Sequence, residues 1–132
     1  MVWRFGKKQP DGEIWDEPVE GLGDIEAAER VRNICRSAAD SAERAMQLAG
    51  NDKRSAQKRH KTESDRYERA AKAAMEIAMK MSDELMRDAA VREIVDLCLT
   101  AKNTKTATIL FRAIQAPAIR DMVLRDHPEL EH

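Results

Sequence analysis

No glycine or proline occurs between Gly50 and Pro117. Over that stretch the chain lacks both the residue that frees the backbone and the one that removes a helix donor, so it reads as helix. Aromatic residues make up 4% of the chain and charged residues 36%, a balance rich in helix formers and poor in strand formers. An all-α fold is expected, and the composition argues against an all-β one.

A single helix from Asn51 to Ala116 would be about 100 Å long, too long for one domain of 132 residues, so it must break inside. Ser82-Asp83-Glu84 is the restart signal, a capping residue followed by first-turn acids. Asp24, with Glu26 and Glu29 behind it, opens an earlier helix that ends before Gly50. A second helix starts near Asn51-Asp52, and the short link makes the two antiparallel. Helix three should run to about Ala101, helix four from Thr104 to Gln115, and a last one from Pro117, which a first turn tolerates.

The resulting architecture is a long antiparallel helical hairpin (24–81) packed on a cluster of about three shorter helices (82–127). Together these form a single all-α domain over 24–127, preceded by a short irregular or hairpin-like arm over 1–23. In the arm, Gln9-Pro10-Asp11-Gly12 is turn chemistry that would pair Val2–Lys8 with Glu13–Val19 and bring Trp3 near Trp15. The closing Leu130-Glu131-His132 reads as the start of an expression tag.

Packing follows from periodicity. Ala28, Val31, Cys35, Ala38, Ala42, Ala45 and Ala49 recur at alternating steps of three and four, and Tyr67, Ala70, Ala71, Ala74, Ile77, Ala78 and Met81 form the matching stripe. Seams of small residues allow close approach but contribute little burial. The large side chains cluster later, from Ile94 and Val95 through Ile109, Leu110 and Phe111 to Met122 and Val123, each worth roughly 1.5–3 kcal/mol when buried. The hairpin is therefore the less self-sufficient half, with a surface suited to a partner.

Charge is balanced overall, 23 basic against 24 acidic groups, so no bulk field draws the chain to nucleic acid or an anionic membrane. Locally it is segregated. Asp11 to Glu29 carries eight acids and no Lys or Arg, whereas Lys53, Arg54, Lys58, Arg59 and Lys61 stand with no acid among them. The hairpin should place these two runs at opposite ends, a layout that is self-complementary for two antiparallel copies.

Specific chemistry is thin. Two cysteines without a CxxC pair point to a reducing, cytoplasmic setting, and no membrane-spanning run or leader-like segment is present. His60 lies among cations on helix two, where a solvated ring is the ordinary expectation. Helices three and four around Lys102-Asn103-Thr104 read as a buried corner in preference to a DNA-reading helix-turn-helix, because Ile109, Leu110 and Phe111 fill the second helix.

Asp65-x-x-Glu68 and Glu93-x-x-Asp96 each put two acids on one helical face. The pattern resembles the ExxE and ExxD pairs of the all-α nucleotide pyrophosphohydrolases, helical dimers that bind magnesium. The resemblance covers four positions, and its first pair begins with Asp where the family has Glu. It implies a magnesium-dependent nucleotide hydrolase.

The leading expectation is a non-catalytic interaction or scaffold module. It would self-associate as a homodimer, or take another helical protein, through Ala38, Ala42, Ala45, Met75, Met79 and Met81, without a cofactor or a membrane. Nucleic-acid binding through 53–69, led by Lys53, Arg54, Lys58, Arg59 and Lys61, is the alternative, and the magnesium hydrolase stands third.

Overall fold

The computed structural model describes residues 13–16 and 21–131. Five α-helices and no strand occur among them: α1 (Asp24–Leu48), α2 (Arg54–Met79), α3 (Glu84–Thr100), α4 (Thr104–Ala113) and α5 (Pro117–Asp126). Single 3₁₀ turns cover Ile14–Asp16 and Pro128–Glu131.

The helices begin and end where the local chemistry demands. Gly50, at φ +79°, turns the chain out of α1, and Asn51 Oδ1 accepts from the Lys53 amide at 2.9 Å to lead into α2. Asp83, one residue beyond Ser82, is the cap of α3, its Oδ1 accepting from Met86 N at 2.8 Å. Asn103 caps α4, accepting from Thr106 N at 3.2 Å, and Pro117 opens α5. Between α3 and α4 the left-handed position falls to Lys102, at φ +64°, a conformation that disfavours a side chain by about 1–2 kcal/mol.

Three contacts fix the course of α1 and α2. Asp24 meets Ser82, Ser41 meets Arg66 and Arg44 meets Glu63, so the two helices run antiparallel along their length. The side chains between them are mostly alanine: Ala38, Ala42, Ala45, Ala56, Ala70, Ala74 and Ala78 are all buried. Ile34 and Ser41, outside the expected repeat, are fully buried too, while Ala49 is exposed.

α3 packs against both α1 and α2, and α4 packs on α3. α5 and the last 3₁₀ turn close the far side through Arg92–Asp126 (3.2 Å) and His127–Asp96 (2.9 Å). Ile94, Val95, Leu97, Phe111, Ile114, Ile119 and Val123 form the bulky core, whereas Ile109 faces solvent. Leu130, read from sequence as tag-like, is buried in this core.

The continuous buried cluster ends at Ala42 and Tyr67. α1 and α2 have 25 and 26 residues against 17 in α3, so by helix rise the hairpin is about 13 Å longer than the helix that supports it. Among the described residues, the projecting tip is two helices wide and its only buried apolar side chains are Ala45 and Ala56.

Where it is described, the arm is irregular and docked on the helices, and it lacks the strand that the hairpin-like alternative required. Val2–Lys8 and Trp3 lie outside the described residues, but Ile14–Asp16 form a 3₁₀ turn and not a strand. The cause is local: Asp16 Oδ2 accepts from Glu13 N at 3.1 Å while Asp16 N donates to Glu13 O at 2.9 Å, which curls the chain and turns Trp15 into the core.

Candidate functional site

The alanines expected to meet a partner are already covered. Ala38, Ala42 and Ala45 lie in the α1–α2 seam with at most 3% of their surface exposed, so the face assigned to a second helix holds α2. The periodicity was right about the seam and ambiguous about its occupant, because intramolecular and intermolecular helix pairs share one pattern. The methionine strip is divided likewise: Met81 is buried, Met75 is half-buried, and Met79 is exposed.

What remains outside is organised by the two ends of the hairpin. At the end where α1 starts, α2 stops and α3 begins, Ile25, Met79 and Leu85 are 72%, 61% and 59% exposed. A shallow recess of about 460 Å³ opens there, lined by Leu22, Asp24, Ile25, Glu26, Lys80 and Ser82. Glu26, Glu29, Asp83 and Glu84 are exposed at the same end, which makes it acidic as well as apolar.

At the other end, Lys53, just ahead of α2, and Arg54, Lys58, Arg59 and Lys61 on its first two turns are all exposed. Cations at a helix N-terminus oppose its dipole. Lys61 pairs with Asp65 at 3.2 Å, while the side chains of Lys53, Arg54, Lys58 and Arg59 pair with no described residue. Glu63, an acid within the tip, is turned toward α1 and Arg44 at 3.8 Å. His60 is half-buried, with Ser64 Oγ 3.5 Å from its Nε2, and is not the freely solvated ring expected.

The arm softens the charge segregation read from sequence. Instead of remaining with the acidic end, Glu13 lies beside the middle of α2 and accepts from Arg66 Nε at 2.8 Å. Arg66 also donates to the buried Ser41 hydroxyl at 2.9 Å and covers the Trp15 ring at 5.4 Å. Its bond to Glu13 holds the guanidinium proton more firmly, outweighing the opposite pull of burial. The sequence marks Arg66 as one cation of the stretch 53–69, but no local rule pairs it with Glu13, because the contact joins residues 53 apart.

The four acids of the magnesium reading do not come together. Asp65 pairs with Lys61, Glu93 with Arg32 at 3.7 Å and Asp96 with His127 at 2.9 Å. Glu68 borders a separate groove of about 400 Å³ whose walls include Tyr67, Lys72, Met75 and Leu110. Among the described residues no group of three or more His, Cys, Asp or Glu side chains is placed to hold a metal ion. Chance spacing on helices that face different neighbours accounts for the pattern.

Neither cysteine is activated. Burial, reinforced by Glu93, Cys98 and Asp96, pushes the Cys35 thiol up to about 12, and burial with Glu68 pushes Cys98 up to about 11. Both remain protonated at neutral pH, the opposite of a nucleophilic thiolate. Among the described residues no helix is long and apolar enough to cross a membrane. Comparison with protein-family models, curated proteins and solved structures gives no match.

Proposed function

We propose that this chain is a non-catalytic helical interaction module that associates with a second copy of itself, the basic tip of one hairpin lying against the acidic, apolar end of the other. The observation that carries this reading is the pairing of opposites on one rod: unpaired cations at one end of α2, and exposed acids with Ile25, Met79 and Leu85 at the other. Two rods laid antiparallel bring both complementary contacts together, the self-complementary condition for a two-fold dimer. The alanine seam takes no part, since α2 fills it. The attraction is between solvent-exposed charges, so it weakens with salt, and the apolar end supplies burial that charge pairs alone lack.

Light scattering across protein concentration tests this. At about 50 mM salt, where screening is modest, the mass should approach about 30 kDa, twice the 15.0 kDa chain, and at about 500 mM it should return to 15.0 kDa. Lys58→Glu with Arg59→Glu should be monomeric throughout, and Ile25→Asp should weaken the dimer without changing the fold. A mass of 15.0 kDa at every salt and concentration would overturn the reading.

A further inference from the structure

We infer that the hairpin tip is a sequence-independent binding surface for the phosphate backbone of duplex nucleic acid. Ala56 faces α1, and two residues later Lys58 projects from the opposite side of α2. Arg54, Lys58 and Lys61 follow one another at steps of four and three, so they form a single outward row. By helix rise the row is about 10 Å long, the axial length over which one strand of a duplex presents about three phosphates. Lys53 and Arg59 flank it, which gives the tip five exposed cations.

The placement selects the class of ligand. Four of these cations have no described counter-ion and oppose the helix dipole, so a polyanion relieves a repulsion that the fold leaves standing. The large exposed apolar side chains of the described chain, Ile25, Met79, Leu85 and Ile109, all lie away from the tip. A phosphate backbone wants only cations, which is all that the tip presents, whereas a second copy has to bring the apolar surface from its own far end. Single strands are disfavoured because no aromatic side chain stands in the row to stack on bases. The overhang beyond α3 gives a duplex room to approach. The competition this implies, a second copy and a duplex sharing one tip, rests on the self-association proposed above; the binding itself does not.

The test is fluorescence anisotropy of a labelled duplex of about 20 base pairs titrated with the full chain, at about 50 and about 200 mM salt. Engagement of four phosphates predicts roughly a 100-fold loss of affinity between these salts, and Lys58→Glu with Arg59→Glu should lower the logarithmic salt slope by about 2. Glu26→Gln with Glu29→Gln, which removes the acidic end without touching the tip, should bind the duplex as well as wild type or better. The proposal is overturned if wild type leaves the duplex unbound at the lower salt, or if the reversed pair binds it with unchanged affinity and slope. Equal displacement of the duplex by polyglutamate or by phosphatidylserine vesicles would also overturn the nucleic-acid assignment. The self-association reading fails separately, by mass: a monomeric wild type that binds the duplex leaves this inference standing, and a dimer indifferent to the duplex removes it.

Discussion

Asp24 and Ser82 are 58 residues apart, yet Asp24 Oδ1 accepts from the Ser82 amide at 2.9 Å while its Oδ2 accepts from the Asp83 amide at the same distance. One carboxylate at the start of α1 thus holds the entrance to α3 and ties the hairpin to the helix cluster. Asp88 does the same work deeper in the fold. Its Oδ2 accepts from Gln115 N at 3.0 Å and Ala116 N at 2.9 Å, where the chain leaves α4 for α5.

The two carboxylates differ in how water can replace them. Asp24 is half-buried, so amides freed by Asp24→Ala turn to solvent, and the loss should be about 1 kcal/mol. Asp88 is 2% exposed, and Asp88→Ala strands two amides in the interior, for a loss of about 3 kcal/mol. Asp88→Asn keeps an acceptor and should lie between them. Urea unfolding with unchanged slope reads the order directly, and a larger loss at Asp24 than at Asp88 would refute it.

These two residues also mark the limit of what the sequence discloses. Asp24 follows a glycine at a helix start, so it reads as a cap; the helix is in fact entered from Gly23, whose amide meets Glu26 Oε1 at 3.4 Å, and the Asp24 carboxylate is left free to reach α3. Asp88 sits among exposed-looking helical acids and carries no local signature. The alanine seam was legible because a period of three and four survives in any frame, and so was the break at Ser82-Asp83. The face left open to a partner was not, because what an alanine stripe touches is decided by neighbours distant in sequence. The basic stretch was legible as charge, but its isolation on an overhang follows from the relative lengths of α1, α2 and α3.

Burial of Cys35 and Cys98 fixes a pH dependence. With thiols pushed up to about 12 and about 11, the fold favours the neutral form. The unfolded chain ionises near 8.5, so the stabilisation is complete below that pH and is lost as pH rises through about 11 to 12. The Tyr67 phenol, raised mainly by burial against the lowering effect of its bond with Asn103, acts in the same direction. The urea midpoint should be insensitive to these groups between about pH 6 and 8 and should fall above about pH 9. A thiol-reactive chromophore at about pH 8 should label both cysteines promptly in concentrated guanidinium and at least about 100-fold more slowly in the native protein. Prompt native labelling of either would show that its shell opens readily.

Trp15 supplies the last prediction, because its contacts work against one another. The side chain is 5% exposed and lies under Arg66, so Trp15→Ala should cost about 3 kcal/mol through lost burial. Its Nε1, however, is buried and has no hydrogen-bond partner among the described residues, a penalty of about 1–3 kcal/mol within the same residue. Trp15→Phe removes that donor while keeping an aromatic face for the guanidinium, so it should remain within about 1 kcal/mol of wild type despite the smaller ring. Arg66→Lys should cost more than Trp15→Phe, since one ammonium cannot reach Glu13, Ser41 and the ring together. A double-mutant cycle between positions 15 and 66, followed by urea unfolding, should give a coupling of about 1 kcal/mol for the Ala pair. Additive losses would mean that the arm is held by burial of the indole alone, with the cation above it contributing nothing.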